Sequence, residues 1–315
     1  MNHQSSISKE SNRILVGDCK EVLSHFPEEY FSACVTDPPY NYEFIGRSWD
    51  ESEIQRRLDR IQDSNTLVKN IPYGSGLAGG VRNNRWYKRN RENILEYQEW
   101  CLGWGKELYR TVRSGAYVLV FNSTRTVAHV QVALEEAGFY ARDILVWRRH
   151  SGIPKGLNFA SKLEKLGEED GKSWEGWHSC LRNEWEAICM LQKPLINNYM
   201  ETIKSTGVGL LHAQMNGSGF LSNIIEGMNN KNGDDKVDGH CTVKPLELIR
   251  FLLRLVVPEN KRHIVLDPFA GTGTTCLAAK QLGHDYIGVE ISEKYCQIAT
   301  DRLKRNEENL QSSLF

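Results

Sequence analysis

Short apolar runs alternate with helix-like patterns along two parts of this chain. Runs such as 116–121, apolar at every position, indicate strands buried on both faces, whereas apolar residues recurring every three or four positions, as in 93–112, indicate helices packed by one face. Strands are predicted at 14–16, 31–36, 116–121, 144–147, 186–191, 263–266 and 286–289. Helices are predicted at 93–112, 126–137, 245–257, 274–282 and 293–306. Strands that alternate with helices predict a mostly parallel α/β sheet covered on both faces.

The periodicity fades in three stretches of the chain. Residues 41–92, 150–183 and 195–240 are rich in polar, charged and glycine residues, and no apolar period runs through them. We therefore expect irregular insertions at 41–92 and 150–183, and a further irregular region at 195–240.

The composition excludes several classes of protein. Of the 315 residues, 40% are hydrophobic and 25% are charged, which is typical of a chain with a large core. The longest apolar run, 246–257, is interrupted by Arg250 and Arg254, so no membrane span is predicted. No apolar segment follows a basic start, so no secretory signal is expected. The eight cysteines form no C-x-x-C pair, so no metal site or disulfide framework is indicated, and reduced thiols predict a cytoplasmic protein.

The net charge of −1 does not by itself indicate a nucleic-acid partner, but one segment is strongly basic. Residues 82–91 carry five cations with two aromatic residues between them. Cations interleaved with aromatics suit a phosphate backbone and unstacked bases, whereas a charged run is also typical of a solvated loop. Both interpretations stay open. The candidate DNA-binding residues are Arg82, Arg85, Trp86, Tyr87, Lys88 and Arg89.

A glycine-rich turn follows the predicted strand 263–266 and opens a helix. No Lys-Ser or Lys-Thr follows its glycines, which argues against a P-loop, and Cys276 stands where a dinucleotide-binding turn needs a third glycine. Asp267, at the end of the strand, can receive the ammonium of an amino-acid ligand, and Glu290, at the end of the next strand, can accept hydrogen bonds from two ribose hydroxyls. A ribose with an ammonium and no phosphate describes S-adenosylmethionine. Two acidic residues that merely end strands at a solvated edge are the alternative.

The tetrapeptide Asp37-Pro38-Pro39-Tyr40 follows the predicted strand 31–36 and forms a rigid turn, because two prolines end a strand. The amino nitrogens of adenine and cytosine are poor nucleophiles, since their lone pair is delocalised into the ring. A carboxylate (Asp37) and a fixed carbonyl (Pro38) that accept the two N–H groups favour a nitrogen able to attack a sulfonium methyl. Tyr40 offers a face on which an extruded base can stack. No Pro-Cys dipeptide occurs, which disfavours methylation at cytosine C5.

The sequence resembles the amino-methyltransferases of DNA, specifically the permuted β class, in which the catalytic motif precedes the cofactor motif. The resemblance is carried by Gly17-Asp18, Asp37-Pro38-Pro39-Tyr40, His240-Cys241-Thr242-Val243-Lys244-Pro245, Asp267 to Thr275 and Gly288-Val289-Glu290. The stretch Arg182 to Ile188, with Lys193-Pro194, resembles a strand hairpin of the same family. The order of the motifs discriminates best, because protein-glutamine and many RNA amino-methylases place the glycine turn first.

The resemblance implies a Rossmann-like sheet of seven mostly parallel strands, with an antiparallel hairpin near one edge and strand 263–266 beside strand 31–36. It also implies that Asp18 binds the adenine of S-adenosylmethionine and that Thr242 and Lys244 lie near its carboxylate. The other cofactor-binding residues expected from it are Cys19, Asp37, Phe269, Ala270, Gly271, Gly273, Thr274 and Ile291.

The resemblance divides one methyltransferase domain into a catalytic half (1–194), a target-recognition region (195–240) and a cofactor-binding half (241–315). Family members with aspartate at position 37 are mostly adenine-N6 methylases, so adenine in double-stranded DNA is the expected target. Cytosine N4 is the alternative, and a silent DNA-binding subunit is a third hypothesis. A homodimer, a companion restriction endonuclease and a bacterial or phage origin stay open. Lys155, Trp174 and Trp177 are further candidates for DNA contacts.

Overall fold

The computed structural model of the protein describes residues 11–40, 84–149, 156–215, 217, 219–228 and 243–312. Its strands are β1 (Arg13–Val16), β2 (Ala33–Thr36), β3 (Tyr117–Asn122), β4 (Tyr140–Arg148), β5 (Trp185–Gln192), β6 (Ile224–Ile225), β7 (Ile264–Asp267) and β8 (Asp285–Glu290). Its helices are α1 (Cys19–Ser24), α2 (Asn84–Thr111), α3 (Val127–Glu136), α4 (Phe159–Leu166), α5 (Tyr199–Thr206), α6 (Leu246–Val256), α7 (Thr274–Gln281) and α8 (Glu293–Ser312), with a 3-10 turn at Glu169–Trp174. Every strand and helix that the periodicity predicts is present.

The strands form one sheet in the order β1-β8-β7-β2-β3-β5-β4-β6. Strand β5 runs antiparallel to both of its neighbours, β3 and β4, and the other pairs are parallel. Strand β7 lies beside β2, with Cys34 opposite Leu266, as the resemblance implies. Because parallel strands end at the same edge, the turns after β2 and β7 lie next to each other.

The core lies on both faces of the sheet. Successive residues of a strand point to opposite faces, so Cys34 packs with α1, α2 and α3, while its neighbours Ala33 and Val35 pack with α6, α7 and α8. All four residues of β2 and all six of β3 are buried. Strands buried on both faces explain why these runs are apolar throughout. Among the described residues, no helix is both long and apolar enough to cross a membrane.

Four predictions about regular structure were wrong. The sheet has eight strands, because the two residues of β6 pair in parallel with the end of β4. Helix α2 begins at Asn84, so the last part of 41–92 is helical. The stretch 150–183 contains α4 and the 3-10 turn, and 195–240 contains α5.

The physical reason for these misses is that end signals, not an apolar face, define the short elements. Asn158 caps α4 through Ser161 N, and Asn198 caps α5 through Glu201 N. Gly167 and Gly207 end the two helices with φ of 75° and 79°, which favours glycine. Helix α4 buries no residue and α5 buries only two threonines, so neither packs an apolar face into the core, and the first turns of α2 are polar.

Candidate active site

Two turns meet at the carboxyl edge of the sheet. Strand β2 is followed by the turn Asp37 to Tyr40, the catalytic turn. Strand β7 ends with Asp267 and is followed by the glycine-rich turn 268–273, the cofactor turn. The hydroxyl of Thr36 donates a hydrogen bond of 2.7 Å to Asp267 Oδ1, in a buried position. This bond joins the last residue of β2 to the last residue of β7, so the two sequence motifs share one site.

Two carboxylates with raised pKa values lie beside the cofactor turn, at the ends of β7 and β8. Asp267 is 4% exposed, and its burial raises the pKa of its carboxyl to about 6, against lowering by the hydroxyl of Thr36 and the N–H of Phe269. Burial also raises the pKa of Glu290. Glu290 Oε2 accepts from Gly271 N at 2.9 Å, and Oε1 accepts from Ser292 N at 3.0 Å. The N–H of Ile291 also bonds this carboxylate, and because a carboxylate has about four acceptor positions, capacity remains for a ligand hydroxyl.

The glycine turn is fixed by packing as well as by its φ angles. Gly271 and Gly273 have φ of 50° and 78°. A Cβ at Gly273 would lie 3.0 Å from that of Ala299 on α8, so the close contact between the turn and α8 excludes a side chain there. Arg302, also on α8, donates to the carbonyl of Thr272 at 3.2 Å and to Oγ1 of Thr274 at 2.8 Å. The sequence reasoning missed Arg302, for which no local motif gives a signal.

The remaining predicted cofactor residues surround this turn. Asp18 caps α1 by accepting from Lys20 N at 2.8 Å, and Gly17 N donates to the carbonyl of Glu290 at 3.0 Å, which brings Asp18 beside the end of β8. Phe269 packs against the ring of Trp100 with centroids 5.5 Å apart. The Cys19 side chain belongs to the core, and burial raises the pKa of its thiol to about 12. Ala270 is buried and Ile291 is exposed.

The catalytic turn places two donors on the carboxylate of Asp37. The hydroxyl of Tyr40 donates to Oδ1 at 2.6 Å, and the ammonium of Lys244 contacts Oδ2. Burial, and then the charge of Asp37, raise the pKa of Tyr40 well above its usual value, so its hydroxyl stays a donor. Pro38, whose carbonyl is the predicted second acceptor for the target amine, is buried.

Side chains from α2, β3 and α3 hold the backbone of the catalytic turn. Tyr97 donates to the carbonyl of Pro39 at 3.0 Å, and its oxygen accepts from Asn122 Nδ2 at 2.8 Å. Thr126 donates to the carbonyl of Tyr40 at 3.3 Å and also contacts the amide oxygen of Asn122. The rigidity expected from two prolines therefore has a second source in buried hydrogen bonds.

Comparison with known proteins matches residues 31–301 to the model of a family described as DNA methylase, the N6/N4 methyltransferases. The chain belongs to this DNA methylase family. It is 33% identical over 296 residues to the Type II methyltransferase M.HindIII of Haemophilus influenzae, covering 88% of this chain and 90% of that protein.

Solved structures of DNA methyltransferases share the fold. The cytosine-N4-specific PvuII DNA methyltransferase matches with a TM-score of 0.56 and 17% identity, covering 94% of this chain and 87% of that one. The complex of M1.HpyAVI with SAM matches with a TM-score of 0.53 and 19% identity, covering 92% and 98%. These likenesses establish the α/β methyltransferase fold.

One further carboxylate of the methylase site was not predicted. Glu186, the second residue of β5, is 9% exposed and lies beside the catalytic turn. Arg149 contacts its Oε1, while Oε2 lies 3.6 Å from Lys244 Nζ and 3.4 Å from the hydroxyl of Tyr40. The family-like hairpin at Arg182 to Ile188 was a signal for this strand, but it gave no role for Glu186.

Lys244 of the methylase lies beside the catalytic turn. Its ammonium, 10% exposed at the side chain, contacts Asp37 and lies over the rings of Tyr40 and Phe121 at 5.3 and 5.0 Å. A contact between Lys244 and a cofactor carboxylate stays a prediction. Thr242 and Arg82 lie outside the described residues. The other basic-segment residues lie in the first turns of α2, so the solvated-loop alternative was wrong about the backbone there, and the position of their side chains is not described.

Proposed function

We propose that this DNA methylase transfers a methyl group from S-adenosylmethionine to N6 of adenine in double-stranded DNA. The observation that carries the proposal is the bond from Thr36 to Asp267, at 2.7 Å, which joins the catalytic and cofactor turns. A methyl donor held at β7 and an amine held at Asp37 are thereby neighbours across the sheet edge. Asp37 is the residue that the resemblance associates with adenine.

The carboxylates of the cofactor turn fit an amino-acid nucleoside. Asp267 is buried with neutral donors from Thr36 and Phe269, so a ligand ammonium would supply the opposite charge that this carboxylate needs. Glu290 would hold the ribose hydroxyls, and Asp18 would lie near the adenine. When bound, S-adenosylmethionine supplies an electrophilic methyl group on a sulfonium.

The residues of the catalytic turn act on the target base. Asp37 and the carbonyl of Pro38 accept the two N–H groups of the amine, which localises the nitrogen lone pair for attack on the methyl group. With the cofactor bound, the nitrogen would take the methyl group as the S–C bond breaks, and Asp37, which holds one N–H, would receive the proton that the methylated amine loses. Tyr40 stacks on the base, which must leave the duplex to reach the site.

Cytosine N4 is the second candidate target, since the PvuII methyltransferase of the same fold is cytosine-N4-specific. The test uses unmodified DNA methylated in vitro by the full chain, digested to nucleosides and separated by mass spectrometry. We expect N6-methyladenine. N4-methylcytosine as the sole methylated nucleoside would overturn adenine as the target. The Asp37→Ala chain gives the background level of methylated nucleosides.

DNA binding and sequence recognition are proposed for regions beyond the site. Residues 195–240 read the target, and the basic segment at the start of α2 contacts phosphates. Replacing Arg85, Lys88 and Arg89 with Ala should reduce the salt dependence of DNA binding by a slope of about 0.9 per lost contact.

The Type II relatives suggest a companion restriction endonuclease, and its co-purification or its activity against unmethylated DNA would test that partner.

A further inference from the structure

The catalytic carboxylate already has two hydrogen-bond donors. Tyr40 donates to Asp37 Oδ1 at 2.6 Å, and Lys244 contacts Oδ2. The proposed methyl transfer requires the same carboxylate to accept an N–H from the target amine. An ammonium on Oδ2 neutralises much of the charge of Asp37, so the remaining lone pair of that oxygen is a weaker acceptor for a neutral amine.

A second carboxylate lies within reach of both donors. Glu186 Oε2 is 3.6 Å from Lys244 Nζ and 3.4 Å from the hydroxyl of Tyr40, each just beyond a normal hydrogen bond. Arg149 contacts the other oxygen, Oε1, and so fixes the direction of the carboxylate. The side chain is 12% exposed, which keeps water from replacing it as an acceptor.

We propose that Glu186 is a positioning residue that accepts Lys244 from Asp37 when the target base enters the site. A movement of Nζ by under about 1 Å converts the 3.6 Å separation into a hydrogen bond. The rings of Tyr40 and Phe121, at 5.3 and 5.0 Å, keep the ammonium close to both carboxylates. After the exchange Lys244 stays paired through Glu186, and Asp37, whose side chain is 29% exposed, keeps the hydroxyl of Tyr40 as a donor. Oδ2 then becomes fully available to the amine.

This inference rests on the proposed role of Asp37, but not on which base is methylated. A product of N4-methylcytosine would overturn the adenine proposal and leave the exchange standing, because both amines need the acceptor. An Asp37→Ala chain of unchanged activity would remove the role of Asp37 and the exchange together. The behaviour of Glu186 variants tests the exchange alone.

The experiment compares Glu186→Gln, Lys244→Met and the double variant. Methyl transfer from tritiated S-adenosylmethionine to unmodified plasmid DNA gives kcat and the KM for DNA. We expect Glu186→Gln to lower kcat at least about tenfold with little change in cofactor affinity, since Lys244 then remains on Asp37. The double variant lacks the competing ammonium, so its kcat should be at least about fivefold higher than that of Glu186→Gln. A merely structural role of Glu186 would not give this recovery.

The matched control is Glu184→Gln. Glu184 lies two residues earlier on the same hairpin, 32% exposed at the side chain and contacting Arg182, so kcat should stay within about twofold. A Glu186→Gln chain of kcat within about twofold of the parent, or a double variant no more active than Glu186→Gln, would overturn the inference. If Glu186→Gln does not unfold cooperatively, Glu186→Asp takes its place. Its shorter carboxylate should lower kcat, Lys244→Met should restore part of the loss, and absence of that restoration would also overturn the inference.

Discussion

The two turns at the carboxyl edge are held in different ways. The cofactor turn is held mainly through its own backbone N–H groups: Ala270 N donates to Val289 O at 2.8 Å, and Gly271 N donates to the carboxylate of Glu290 at 2.9 Å. Arg302 adds one side chain, from α8. The catalytic turn depends on side chains from α2, β3, α3 and β5, and on Lys244 just before α6. A turn held by its own backbone is visible as a sequence motif. When distant side chains hold a turn, the sequence motif shows the residues of the turn but not the residues that hold it.

The largest effect is expected from Asp37→Ala, which removes the carboxylate that both Tyr40 and Lys244 contact. Methyl transfer should fall at least about a hundredfold, because the target amine loses its acceptor. Cofactor affinity, measured by calorimetry, should stay within about twofold if the two turns are separate. Asp301→Ala, an exposed position on α8, serves as control and should transfer normally. Turnover above a few per cent of the parent in Asp37→Ala would contradict the mechanism.

Glu290→Ala tests the other turn. The variant should bind S-adenosylmethionine at least about tenfold more weakly, about 1.4 kcal/mol, because hydrogen bonds to a charged acceptor are lost. Its control is Glu293→Ala, an exposed residue in the first turn of α8, with affinity unchanged. An equal affinity in a folded Glu290→Ala chain would place the ribose elsewhere.

The pH dependence of cofactor binding is a second test of the cofactor turn. The pKa of Asp267 is raised by burial to about 6, so its carboxyl becomes protonated below that pH and must lose the proton to pair with an ammonium. Affinity should therefore fall about tenfold from pH 7 to pH 5, with proton release on binding below pH 6. Calorimetry in buffers of different ionisation enthalpy measures that release. Binding without proton release at pH 5 would contradict an ammonium at Asp267.

The smallest effect is expected from Tyr97→Phe, which loosens the catalytic turn from a distance. The carbonyl of Pro39 and the amide of Asn122 each lose a partner, so the free energy of unfolding should fall by about 1–2 kcal/mol. We expect kcat to fall about fivefold at unchanged cofactor affinity. Tyr199→Phe, a tyrosine 38% exposed on α5, should change neither quantity. A fall in cofactor affinity instead of kcat would mean that the two turns are not held separately.

Much of the fold was predictable because its signals are local. Strands β2 and β3 are apolar at nearly every position since both faces are covered, and their pattern alone predicts a sheet of this class. The glycine turn and the prolines of the catalytic turn can each be recognised from a few consecutive residues. By contrast, β6 has two residues, too few for a period to appear, and neither α4 nor α5 buries an apolar side chain that would mark it.

The sequence by itself determined the class of fold and the order of the two motifs, and it singled out Asp37, Asp267 and Glu290 as candidate site residues. Only the tertiary structure decided which side chains reach Asp37. Lys244 is 207 positions away from it, and Glu186 is 146 positions from Tyr40, so their contacts depend on strand order and not on local pattern. Burial of these charges is tolerable because they meet each other, and that meeting exists only once β5 and the segment before α6 have packed against β2 and β3.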